Sequence, residues 1–87
     1  MMHKDVHRDA DGSFVVNAST TIRALNRSMR WNLPMDGPKT LNGLIVEFLE
    51  TIPEPGTTLK LADYMLEVLQ TGENAIKTVR IRPPRAP

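Results

Sequence analysis

The apolar positions divide the chain into a helical front half and an alternating back half. Leu41, Leu44, Ile45, Phe48, Leu49 and Ile52 recur three, one, three, one and three residues apart, the stripe of a helix with one buried face. Thr40 stands where an N-cap belongs, Pro53 ends the run, and Glu47 and Glu50 fall off the stripe. Gly43 inside this helix costs about 1 kcal/mol against alanine, so the spacing predicts that another backbone comes close there. Upstream, Ile22, Leu25 and Met29 repeat at three and four, with Ser19 or Thr20 as the cap and a stop ahead of Pro34. That helix leaves Arg23, Arg27 and Arg30 together on a neighbouring face, and Met35-Asp36-Gly37-Pro38 reads as a turn.

Strand signals flank these helices. Ser13-Phe14-Val15-Val16-Asn17 is a short β-branched and aromatic run between turn residues, and Ile52 to Gly56 makes a rigid turn into the second half. There Thr58–Leu61 alternates, Ala62-Asp63 turns, Tyr64–Leu69 alternates, Gly72-Glu73-Asn74 turns again, and Ile76–Arg82 forms a last strand. The phase of Ile76 disagrees with that of Val79 and Ile81, which predicts a bulge or twist. Residues 1–10 are polar and aperiodic and read as a linker or leader, 11–82 as the domain, and 83–87 as a proline-rich tail. The order β-α-α-β-β-β implies an α+β fold, two helices packed on one face of a small, mainly antiparallel sheet.

Composition narrows what such a domain can be. Eighty-seven residues, 40% hydrophobic, give one core and little room for a deep cleft; without cysteine there is neither a disulfide framework nor a thiolate zinc site. The longest apolar run, Leu44-Ile45-Val46, is far from the about 20 residues of a membrane span, so no direct membrane insertion is expected. The amino end has no apolar stretch of the kind a signal peptide carries. The net charge of +1 predicts no bulk attraction to nucleic acid or anionic lipid, but it conceals segregation. Arg23, Arg27, Arg30 and Lys39 stand in one block, Glu47, Glu50, Glu54, Asp63, Glu67 and Glu73 in the next, and Lys77, Arg80, Arg82 and Arg85 in the last. Pairing among the domain's own elements is the first explanation and docking on neighbours the second.

No constellation for chemistry stands out. The only histidines, His3 and His7, lie in the leader, away from any nucleophile, and Glu47 and Glu50 lie on a wet helix face. His3, Asp5, His7, Asp9 and Asp11 resemble a metal cluster in composition, yet nothing rigid is predicted to hold them. The arginine row beside Trp31 suits phosphate and base contacts, but Phe14, Phe48, Trp31 and Tyr64 are few and placed for a core, so no nucleic acid is expected. No phosphate-cradling glycine motif is present. The residues describe a non-enzymatic α+β module with no catalytic, cofactor-binding or metal residue to nominate, whose candidate interaction face is Arg23, Arg27 and Arg30.

Six pieces in order carry a resemblance. Asp11-Gly12-Ser13-Phe14-Val15-Val16-Asn17, Ile22-Arg23-Ala24-Leu25-Asn26, Trp31-Asn32-Leu33-Pro34, Thr40-Leu41-Asn42-Gly43 with Glu47, Ile52-Pro53-Glu54-Pro55-Gly56 and Ile76–Ile81 together resemble the CorC/HlyC transporter-associated domain. The resemblance spans about residues 11–82 and departs from the pattern at Ala62-Asp63, where relatives commonly carry Asp-Gly. It implies a regulatory domain of magnesium and cobalt efflux or hemolysin-like membrane proteins, placed after a transmembrane domain and a pair of CBS domains on the cytoplasmic side. Its implied partners are those CBS and transmembrane domains of the same full-length protein, with a homodimer also allowed. On this view the 87 residues are part of a longer chain, and residues 1–10 the link to its CBS pair. The family fold is similar to a region of FAD-binding enzymes, but no motif here carries a flavin, and no cofactor is expected. The reading kept beside it is a small binding module for an anionic ligand such as a nucleotide or flavin, centred on the arginine face and the Lys77/Arg80/Arg82 strand.

Overall fold

Alternation and periodicity resolve into one sheet with a helical layer in the computed structural model, which describes residues 4–85. In chain order the elements are β1 (Val6–Arg8), β2 (Phe14–Asn17), α1 (Ile22–Met29), α2 (Leu41–Leu49), β3 (Thr58–Leu61), β4 (Tyr64–Thr71) and β5 (Ile76–Arg82). The strands lie in the order β1-β2-β5-β4-β3, every neighbouring pair antiparallel. Register places Val6, Val16, Val79 and Val68 in one row across the sheet, and Phe14, Ile81, Leu66 and Leu59 in the next. Because side chains alternate along a strand, both rows share a face, and that face joins Ile22 and Leu25 of α1 and Leu41, Leu44 and Ile45 of α2 in a single core. The intervening row, Val15, Arg80, Glu67 and Thr58, lies on the opposite face.

The fold is the α+β arrangement the pattern predicts, with one strand more. Residues 6–8, expected in a linker or leader, pair with β2 as the sheet's edge, and Val6 is only 6% exposed. A three-residue strand with one inward side chain is too short to show a period, so it reads as polar loop. The bulge sits where the phase of Ile76 requires it. Register shifts on either side of Gln70 bring Ile76 into the core beside Val79 and Ile81, and Lys77 is exposed rather than sharing their face. Residues 83–85 carry no regular structure, and 86–87 lie outside the described residues.

Both helices start with a threonine. Thr40 caps α2 as expected, its hydroxyl accepting from the Gly43 N–H, while α1 begins one residue later than Ser19 or Thr20 allow: Thr21 is the cap and accepts from Ala24 N–H. Thr20 is buried instead, and Ser19 bonds back to Asn17. A bridge between Thr21 and Thr40, with Ile22 N–H donating to Lys39 O and Leu41 N–H to Thr20 O, sets the two helix starts side by side. What comes close at Gly43 is a proline ring rather than a backbone: a Cβ there would begin 2.9 Å from Pro38 Cβ. The stripe of α2 is truncated as well. Phe48 is 54% and Ile52 42% exposed, because they fall on the last turn and beyond it, where the core they are phased toward has ended.

Ala62 and Asp63 form a two-residue hairpin loop with φ of 50° and 69°, between the paired residues Leu61 and Tyr64. Two successive left-handed residues define a type I′ turn, which favours Asn-Gly. The double substitution Ala62→Asn/Asp63→Gly is expected to raise stability by about 1 kcal/mol, since the strain at both residues is relieved. Thermal denaturation followed by circular dichroism reads this as a rise in Tm of roughly 5 °C.

Candidate functional site

Arg23 and Arg27 project from α1, one turn apart, and Arg30 caps the helix in the left-handed conformation, its N–H donating to Asn26 O. All three are exposed, and none forms an ion pair among the described residues. The helix thus carries cationic charge that no carboxylate among the described residues pairs with. Arg23 lines two adjoining hollows. One, of about 250 Å³, is shared with Thr21 and Arg27; the other, of about 520 Å³, lies against Met35, Gly37, Pro38 and Lys39 of the loop before α2.

The opposite behaviour is seen at the second basic cluster. Arg80 Nη1 lies 2.6 Å from Asp9 Oδ2 and 2.7 Å from the Ser13 hydroxyl, with its Nε 3.8 Å from Glu67, and Arg82 pairs with Asp11 at 3.1 Å. Asp11 also accepts from the Ser13 hydroxyl (2.6 Å) and N–H (3.0 Å). These bonds, first those of Ser13 and then that of Arg82, hold its carboxyl well below the ordinary value of 3.8. Self-pairing therefore describes Arg80 and Arg82 of β5, two of the three strand cations of the anionic-ligand reading, whereas Lys77 and the arginines of α1 are in no ion pair among the described residues.

The acids of the amino-terminal segment are likewise engaged. Asp9 and Asp11 serve the two arginines, His7 Nε2 stands 3.6 Å from Asp9, and His3 lies outside the described residues. Among the described residues no three of His, Cys, Asp or Glu come together as a metal would require. No helix among them is long and apolar enough to cross a membrane.

Several of the motif residues act as fasteners. The Asn26 side chain donates to Leu33 O and accepts from Leu33 N–H, both at 2.9 Å, pinning the loop that leaves α1. Asn42 accepts from Ile76 N–H at 2.8 Å, tying α2 to the start of β5. Trp31 stands edge-on between Phe14 (5.4 Å between ring centroids) and Tyr64 (5.8 Å), and the Tyr64 hydroxyl accepts from Asn32 N–H. Trp31 is thus half-buried and packed against the core. Met35, 61% exposed on the rim of the larger hollow, is a surface feature the sequence reading passed over as a turn. Its signal was a methionine in an otherwise polar turn.

The comparisons agree with this architecture. The model of the CorC_HlyC transporter associated domain matches residues 7–85, beginning inside β1. The chain is similar to the UPF0053 inner membrane protein YfjD of Escherichia coli, 35% identical over 80 residues that make up 92% of this chain and 19% of that protein. It spans about a fifth of the length of such relatives. A crystal structure of a conserved protein of unknown function from Haemophilus influenzae superposes with a TM-score of 0.87 at 32% identity, covering 92% of this chain and 99% of that one. A Neisseria meningitidis structure named as an Mg2+ and Co2+ transporter (CorC) associated region shares the fold, with a TM-score of 0.82 at 16% identity over 92% and 99% of the two chains. With the family model covering β2 to β5, both helices and their fasteners, the chain belongs to the CorC_HlyC transporter-associated domain family.

Proposed function

We propose that this domain is a non-catalytic regulatory part of a membrane ion transporter, of the magnesium and cobalt efflux class, and acts by docking on its neighbours. The observation that carries the reading is the uncompensated arginine face of α1 in a domain of a transporter-associated family: Arg80 and Arg82 are spent on intrachain carboxylates, whereas Arg23, Arg27 and Arg30 are left for a partner. The partners on this reading are the CBS pair and the transmembrane domain of the same full-length protein, or a second subunit, at the cytoplasmic side of the membrane. Exposed guanidinium groups fit acidic surface by paired hydrogen bonds, and they favour orientation and specificity more than raw affinity.

Charge reversal at Arg23 and Arg27 in the full-length transporter is the test. Both residues are exposed, so the domain's Tm is expected to hold while regulation of cation efflux changes severalfold, the same change being expected on deletion of the domain. Unchanged flux and unchanged regulation in both the reversal and the deletion would sink the proposal.

A further inference from the structure

Unspent positive charge borders a hollow of small-molecule size. The hollow of about 520 Å³ lies between the start of α1 and the loop before α2; Arg23 and Lys39 supply its charged lining, Met35 and Pro38 an apolar wall. Small-ligand sites have roughly this volume, 300–1,000 Å³, and combine apolar surface with a few polar groups. No carboxylate lines it. Asp36 stands between two lining residues but is not one of them, and Glu47 lies behind the loop, 3.3 Å from where a side chain at Gly37 would begin. Neither Arg23 nor Lys39 forms an ion pair among the described residues. Through Thr21 and Arg23 the hollow adjoins the one of about 250 Å³, to which Arg27 adds a third cation, again with no carboxylate in the lining. The Arg23 N–H has no acceptor among the described residues and, being in the first turn of α1, adds a donor at the positive end of the helix.

We propose that this hollow binds a small phosphate ester, its phosphate held by Arg23 and Lys39 and its organic part laid against Met35 and Pro38. A guanidinium presents two parallel donors that match two phosphate oxygens, and an ammonium adds a point charge. Two cations, with a third next door and no acid in the lining, suit a group that carries about −1.5 to −2 charges at pH 7 better than a single carboxylate. The room beyond the phosphate and the bare thioether of Met35, 61% exposed, call for an organic part, to which an unbranched methionine adapts. A nucleic-acid strand fits less well, since it needs a track of cations with aromatic plates, whereas Asp36 and Glu47 bound this patch on the loop side and the one tryptophan packs against the core. The hollow is open, so binding is weak, with Kd on the order of 1 mM. The site stands without the docking reading; where both hold, a bound ester covers Arg23 and competes with the neighbour.

Titration of the isotope-labelled 87-residue chain with phenyl phosphate, followed by the NMR shifts of its amides, tests the proposal. Saturating shifts are expected at Thr21, Ile22, Arg23, Gly37 and Lys39, with weaker binding of inorganic phosphate and no saturation by benzyl alcohol. Arg23→Gln and Lys39→Gln are each expected to weaken binding at least about fivefold, whereas Lys60→Gln, on β3 and outside both hollows, leaves it unchanged. Arg23 and Lys39 are exposed, so both variants are expected to keep the parent's Tm, which separates lost binding from lost folding. An absence of saturable shifts, shifts centred on Lys60 or Lys77, inorganic phosphate binding as tightly as phenyl phosphate, or glutamine variants that bind like the parent would each overturn the proposal. A chain that binds no phenyl phosphate while reversal of Arg23 and Arg27 still alters transport would remove this ligand and leave the regulatory reading standing.

Discussion

Asn26→Ala is expected to destabilise the domain by about 3 kcal/mol, since it removes two hydrogen bonds and leaves the backbone N–H and C=O of Leu33 without side-chain partners. Leu33 is buried, so water does not readily replace what is lost. For a domain of this size that corresponds to a fall in Tm of roughly 15 °C. The variant Asn26→Asp separates the two bonds. Its carboxylate still accepts from Leu33 N–H but faces Leu33 O without a donor, so it is expected to recover little and to be rescued in part at low pH, where the protonated acid can donate. If Asn26→Ala cost less than about 0.5 kcal/mol, the cost of an ordinary surface change, the fastener role would be wrong.

That role was not legible from the residues themselves. The Asn26 and Asn42 pieces identified the family, yet what they bond is set by backbone groups 7 and 34 residues away, and no periodicity encodes a contact of that range. Elements were legible where a face is buried over several turns or several alternations: α2, β3 and β5 follow directly from their apolar spacing, down to the bulge forced by Ile76. Phe48 and Ile52 show the limit of the same rule. Phase states which way a side chain points, and only the packed structure states whether the core extends that far. The candidate face was half legible. Arg23, Arg27 and Arg30 could be placed by spacing, but their being unpaired, against the pairing of Arg80 and Arg82, depends on Asp9 and Asp11 reaching across from a segment that reads as linker.

Removal of residues 1–9 puts that segment to the test, and a loss of about 3 kcal/mol is expected. Deleting β1 takes away the burial of Val6, worth about 2 kcal/mol for a side chain that is 6% exposed, and strips the β1 side of β2 of its paired backbone. Val16, wholly buried and paired with Val6 on one side and Val79 on the other, becomes an edge residue. The Asp9 carboxylate goes as well, leaving Arg80 to the Ser13 hydroxyl and the more distant Glu67. A linker would behave differently, its removal changing stability by no more than about 0.5 kcal/mol, as for a surface site away from the core. Urea titration of the full and shortened chains distinguishes the two. A midpoint that does not move would return residues 6–8 to the linker; a large downward shift would make the start of the domain coincide with β1, where the family model also begins.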